Sequence, residues 1–128
     1  MTATATETTL YRRLGGYDTI AAFTDQWLGR LLADPPLAAY FKGMSNDTKG
    51  RTHQLIVDFI ASSFGGPTIY TGRDMQVLHE GLGISDLEYA AIVQHAADTL
   101  TDLGVAPAEK DAVLDWFASL EGDIVEQR

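Results

Sequence analysis

The sequence contains no cysteine. That excludes disulfides, thiolate nucleophiles, and zinc or iron–sulfur centres held by sulfur. Basic residues are scarce, with nine Lys and Arg against eighteen Asp and Glu and a formal net charge of −9. Phosphate backbones are gripped by clustered Lys and Arg, so no nucleic-acid partner is expected. No apolar run approaches the roughly 18 to 20 residues of a membrane span, so no membrane partner is expected either. The opening residues, Met1 to Thr9, have neither a basic start nor an apolar centre. They do not read as a secretory leader, and a cytoplasmic protein is expected. Sustained period-two alternation is also missing, and only Thr68 to Thr71 is mildly strand-like. Sheet architectures drop out with it.

What remains is a globular composition, 45% hydrophobic over 128 residues, sufficient for one domain with its own core. Residues 1–9 read as a polar disordered tail and residues 10–128 as a single domain. Leu10 to Leu14 is a short helix stopped by Gly15-Gly16. From Asp18, a plausible N-cap, Ile20, Phe23, Trp27, Leu28, Leu31 and Leu32 recur at helical spacing until Pro35-Pro36 interrupts. Leu37 to Phe41 is a short apolar turn, and Gly43 to Gly50 a polar loop. A second long amphipathic helix starts at Thr48 or Arg51, carries Leu55, Ile56, Phe59, Ile60 and Phe64, and ends at Gly65-Gly66-Pro67. A short helix is predicted over Arg73 to Glu80. Ser85 with Glu88 forms a capping box opening a helix with Leu87, Ile92, Val93, Ala96, Ala97, Leu100 and Leu103. The last helix begins near Pro107 and carries Val113, Leu114, Trp116, Phe117, Leu120 and Ile124. The fold class is all-α, and four long helices in two pairs fit a two-over-two sandwich.

The irregular connection between the pairs carries the chemistry. Met75 and His79 lie four residues apart, so on a helix they share a face, with Leu78 and Leu82 beside them. An apolar patch holding one imidazole suits a flat, greasy cofactor whose metal needs a single nitrogen ligand. A half-buried histidine with no ligand is the plainer alternative.

Taken together, several motifs resemble the truncated haemoglobins of group I. They are Leu14-Gly15-Gly16, Arg30 to Asp34, Tyr40-Phe41, Gly65-Gly66-Pro67, Tyr70 to Met75 with His79, Gly83-Ile84, His95 to Asp98 and Leu103-Gly104-Val105. The resemblance implies a shortened, two-over-two globin around haem b (iron protoporphyrin IX). It implies His79 as the proximal iron ligand, Phe41 as the aromatic wedged against the porphyrin, and Met75 as a proximal contact. Ile56, Tyr70, Arg73 and Val93 complete the implied cofactor-binding set, although Tyr70 also fits a packing role at its corner. Lys42, Lys49, Arg51 and Arg73 are candidate propionate partners, or simply solvated surface charges. His95 reads as structural.

The distal side departs from the family. Many members place a Tyr and a Gln where they hydrogen-bond bound O₂. Aligned on Arg30, the Tyr position holds Leu28; aligned on Gly65, the Gln position holds Ile56 and the residue one turn earlier is Thr52. An alternative register recovers Gln54 but brings Asp58 into an apolar site, which would strand a charge. The polar distal candidates are therefore Thr52, His53 and the indole N–H of Trp27. His53 either donates to bound O₂, ligates iron directly, or faces solvent.

The implied function is reversible binding of O₂, and of NO or CO, at a His-ligated iron. The implied alternatives are nitric oxide dioxygenation with an external electron donor or reductase, weak peroxidase activity, and gas or redox sensing with His53 as a displaceable sixth ligand. A cofactor-free helical interaction domain is the reading from another class. A monomer is expected from the acidic surface.

Overall fold

The structure, a computed structural model, describes residues 9–127. Among these residues the regular elements are helices, together with one isolated parallel bridge between Ser85 and Gln127. The tail expected over residues 1–9 lies outside the described residues except for Thr9, which caps the first helix. Arg128 lies outside them as well.

Each helix has a legible local cause. Helix α1 (Leu10–Leu14) starts where the Thr9 hydroxyl accepts the Arg12 amide at 3.2 Å. Helix α2 (Tyr17–Ala33) begins one residue before Asp18. Asp18 is thus a first-turn acid facing the positive end of the helix dipole rather than the N-cap. Pro35 stops α2 and opens the one-turn α3 (Pro35–Ala38), and a 3₁₀ turn over Ala39–Phe41 follows. Helix α4 (Asn46–Ser63) starts inside the stretch expected to be a polar loop, because the Ser45 hydroxyl accepts the Thr48 amide at 3.1 Å. Helix α5 spans only Met75–His79, shorter than the predicted Arg73 to Glu80, because the Asp74 carboxylate caps it by accepting the Gln76 amide at 3.0 Å. The predicted capping box opens α6 (Asp86–Asp102), with both reciprocal bonds present. Helix α7 (Pro107–Ile124) carries Pro in its first turn.

The described residues fall into two compact units, and the boundary cuts α2 between Gln26 and Trp27. The first unit holds α1, the start of α2, α4 and the irregular stretch to Gly72. Its buried side chains include Ile20, Phe23, Val57, Ile60 and Phe64. Thr24 is buried too, and its hydroxyl donates to the Ile20 carbonyl at 2.9 Å, so no polar group is stranded. The Tyr11 amide donates to the Phe64 carbonyl at 3.0 Å, which ties α1 to the end of α4. Gly66 lies so close beneath the Tyr11 ring that a Cβ there would sit 2.5 Å from Tyr11 Cδ1. Close backbone approach is thus what one member of the second glycine pair provides.

The second unit holds the remainder of α2, the aromatic turn, and everything from Arg73 onward. Its core joins Ile84, Tyr89, Ile124 and Val125, with Tyr40, Ile92, Val93 and Leu120 packed against them. Trp27, Phe117 and Trp116 form a run of edge-to-face rings, with centroids 5.5 Å and then 5.0 Å apart. Arg30 pairs with Asp102 at the end of α6. Leu87, counted with the apolar face of α6 from spacing alone, is 81% exposed. Its place in the first turn, beside the capping box, turns it away from the core.

Candidate functional site

Helix α5 delivers His79 at its last residue. The ring Nδ1 lies 2.7 Å from the Met75 carbonyl oxygen one turn earlier. A carbonyl can only accept, so the proton resides on Nδ1 and the lone pair is left on Nε2. Imidazoles that bind metals are oriented in this way, by a hydrogen bond from the other ring nitrogen. A carbonyl oxygen carries two lone pairs, so Met75, one helical turn before His79, can accept the ring proton beside a main-chain N–H.

The surroundings of His79 are apolar and uncovered. Val77, Leu78 and Leu82 are 53%, 41% and 44% exposed, while Met75 is half-buried. Apolar side chains left in water around one oriented imidazole fit a flat hydrophobic macrocycle carrying a metal. Among the described residues no three His, Asp or Glu side chains gather into a metal site. A metal that used His79 would therefore have to bring its other ligands with it, as iron does in haem.

The remaining predicted site residues divide between the two units. Phe41, Arg73, Met75, Val93, Trp27 and Leu28 belong with His79 to the second, and Thr52, His53, Ile56 and Tyr70 to the first. Phe41 ends the 3₁₀ turn, half-buried, and Val93 packs on the core of its unit. Tyr70 makes an edge-to-face contact with Phe59, centroids 5.0 Å apart, in agreement with the packing role. Lys42, Lys49, Arg51 and Arg73 are all exposed.

Two of the three polar distal candidates have their hydrogens committed. The Trp27 indole N–H donates to the Ile92 carbonyl at 3.1 Å, and the Thr52 hydroxyl donates to the Thr48 carbonyl at 2.9 Å. The half-buried His53 ring has no hydrogen-bond partner among the described residues. Gln54 is exposed and donates to both the Tyr17 hydroxyl and Asp58, at 3.0 and 2.9 Å. His95 meets Asp34 at 2.9 Å, which gives it the structural role expected of it.

Residues 9–126 match the model of the family described as bacterial-like globin. The group 1 truncated haemoglobin GlbN of Mycolicibacterium paratuberculosis is 34% identical over 116 residues, covering 90% of this chain and 82% of that one. The chain belongs to the group 1 truncated haemoglobins. Its fold agrees with solved members. The truncated haemoglobin of Tetrahymena pyriformis in its Fe(III) form superposes with a TM-score of 0.85 at 28% identity, covering 94% of this chain and all of that one. The 2/2 haemoglobin of Synechococcus, solved in the cyanomet state with covalently attached haem, gives 0.82 at 27% identity, covering 92% and 98%. The architecture is thus the all-α, two-over-two truncated globin, and family membership carries haem-based binding of diatomic gases. No helix among the described residues is long and apolar enough to cross a membrane.

Sequence reasoning missed one partner of the segment that follows His79. Glu126, forty or more residues away along the chain, accepts the Gly81 and Gly83 amides just beyond His79. No local pattern could have announced that pairing.

Proposed function

We propose that this protein binds O₂ reversibly at a b-type haem whose iron is held by Nε2 of His79. The observation that carries the proposal is the 2.7 Å hydrogen bond from His79 Nδ1 to the Met75 carbonyl, which fixes the tautomer a metal requires. The haem iron supplies one coordination position for a diatomic gas, O₂ first and NO or CO as further ligands. Phe41, Met75 and Val93 offer apolar contact to the macrocycle, with Ile56 and Tyr70 as further lining. Arg73, with Lys42, Lys49 and Arg51, offers cations to the propionates. Neither Leu28 nor Ile56 has a side-chain donor with which to hydrogen-bond a gas. The absence of cysteine leaves no thiol for a thioether link, which supports a b-type attachment. Residues 10–128 act as one cytoplasmic globin domain, monomeric, whose ferric form is reduced by an external donor.

The test is hemin titration of the purified protein and of His79→Ala, followed by anaerobic reduction without added gas. A five-coordinate deoxy spectrum in the wild type, restored to the variant only by added imidazole, is expected. An unchanged deoxy spectrum in the variant without imidazole sinks the assignment.

A second reading has its own observation. With the Trp27 and Thr52 donors committed, His53 is the polar distal candidate without a partner, which suits a ring that occupies the sixth position and yields it to gas. Such a protein would serve as a gas or redox sensor. A low-spin ferric spectrum lost in His53→Ala supports it, and a high-spin wild-type spectrum rules it out. Nitric oxide dioxygenation separates from both by nitrate formation when the O₂-loaded protein meets NO and a reductase.

A further inference from the structure

The loop that leaves His79 is held by a carboxylate from the far end of α7. One oxygen of Glu126 accepts the Gly81 amide at 2.9 Å and the other accepts the Gly83 amide at 2.7 Å. Both glycines adopt positive φ, 86° and 72°, a region that other residues enter only with strain. That geometry turns two amides, two residues apart, toward the same acceptor. The segment carrying Glu126 is itself anchored. The Glu126 and Gln127 amides donate to the Ile84 carbonyl at 2.9 and 3.2 Å, and the Asp86 amide returns to the Gln127 carbonyl at 2.9 Å. The fit is close, since a Cβ on Gly83 would lie 2.9 Å from Gln127 Nε2.

Only Glu80 separates His79 from the first bracketed amide. The turn between them is closed by the Leu82 amide donating to the His79 carbonyl at 3.2 Å. Helix α5 is five residues long, and an isolated helix of that length does not hold its own shape. Its C-terminal end must therefore be fixed by something outside it. The bracket supplies that constraint immediately after the imidazole, and charge-assisted bonds to two amides make it a stiff one.

We infer that Glu126 is a positioning residue for the proximal ligand: by bracketing the Gly81 and Gly83 amides it sets where His79 stands relative to the iron. This rests on the haem reading above, with His79 as the ligand. Loss of the bracket releases the loop, loosens the orientation of the imidazole, and weakens the hold on haem without touching the cofactor.

The experiment compares wild type with Glu126→Ala and Glu126→Gln, the latter keeping one acceptor oxygen. Amide exchange at Gly81 and Gly83 is read by NMR on the hemin-free protein, and is expected to accelerate by about tenfold or more in Glu126→Ala and less in Glu126→Gln. Resonance Raman of the hemin-loaded, ferrous, gas-free protein reads the iron–histidine stretch, expected to fall in frequency and broaden in the same order. Hemin transfer to excess apomyoglobin is expected to quicken severalfold. Unchanged exchange means the bracket does not form in solution and overturns the proposal. Faster exchange with an unmoved stretch and unchanged hemin transfer makes Glu126 a structural tie only, and also overturns it. Failure of the haem reading looks different: the wild type itself would develop no Soret band with hemin.

Discussion

Trp27 and Ile92, sixty-five residues apart, are joined by a hydrogen bond from the indole N–H to the main-chain carbonyl at 3.1 Å. The indole is almost fully buried, at 9% exposure, and its ring meets Phe117 edge-to-face. Trp27 thus serves the packing of α2 on its unit, and its hydrogen is not offered to a gas. Trp27→Phe keeps most of the ring and removes the bond. The expected loss is about 1–2 kcal/mol by chemical denaturation, with O₂ dissociation within about twofold of wild type. Release accelerated by an order of magnitude would mean that the indole does reach the ligand.

On the proposed alignment Leu28, the neighbour of Trp27, is the place to restore a donor. A hydroxyl aimed at bound O₂ in a low-dielectric site contributes about 1–3 kcal/mol. Leu28→Tyr is therefore expected to slow O₂ release at least severalfold in stopped-flow displacement by CO. An unaltered rate would count against the alignment that puts Leu28 beside the gas.

Gly66 and the Tyr11 ring make a second testable pair. Gly66→Ala drives a methyl to 2.5 Å from Tyr11 Cδ1, so the ring or α1 must shift. A stability loss of about 1–3 kcal/mol is expected. In the double variant with Tyr11→Ala the glycine substitution should cost much less, because the clash has gone. Additive losses would show that the strain lies in the backbone instead.

Acid should find the two capping carboxylates. The Ser85 amide first, and then the Tyr40 hydroxyl, hold Glu88 below its ordinary value of 4.5. The Gly81 amide first, and then that of Gly83, do the same for Glu126. A folded-state pKa below the unfolded one gives stability that is complete above the unfolded value and disappears as pH falls through the folded one. Denaturation midpoints should therefore hold steady above about pH 5 and decline below the ordinary carboxylate range, with a shallower decline in Glu88→Gln. A decline that begins near neutrality would implicate other groups. At the alkaline end the sign reverses. Burial first, and Glu88 second, push Tyr40 up to about 12, so its contribution is present below 10.0 and lost as pH rises through 12. Absorbance titration of Tyr40→Phe should show one late-rising phenolate fewer than wild type, with that of Tyr89, which burial also pushes up, retained.

How much of this was legible in the chain depended on distance along it. The helices and the Ser85–Glu88 box follow from residues within one turn of each other, and periodicity located them. The start of α4 was obscured because Ser45 has no acid three residues on; its cap is one-sided, and Gly50 disguised the helix as a loop. Asp18 looked like a cap, but Gly16 already accepts the Ile20 amide, so the helix starts earlier. The family motifs identified His79 as the candidate ligand, and the structure added its tautomer. What spacing could not supply were bonds between remote positions: Trp27 to Ile92, Tyr40 to Glu88 at 2.7 Å, and Glu126 to its two glycines. Those bonds decide which polar groups are left over for a ligand.

The acceptor opposite His79 Nδ1 is a neutral amide oxygen and carries no formal charge. A carboxylate in that place would draw the ring proton toward itself and give Nε2 the electron-rich character of an imidazolate. Such a ring donates strongly enough to help break a dioxygen or peroxide bond at iron. The Met75 carbonyl leaves the proton where it is, so on the proposed assignment the proximal side gives little electronic push. On that assignment the protein is suited to holding and returning its gas rather than to breaking it.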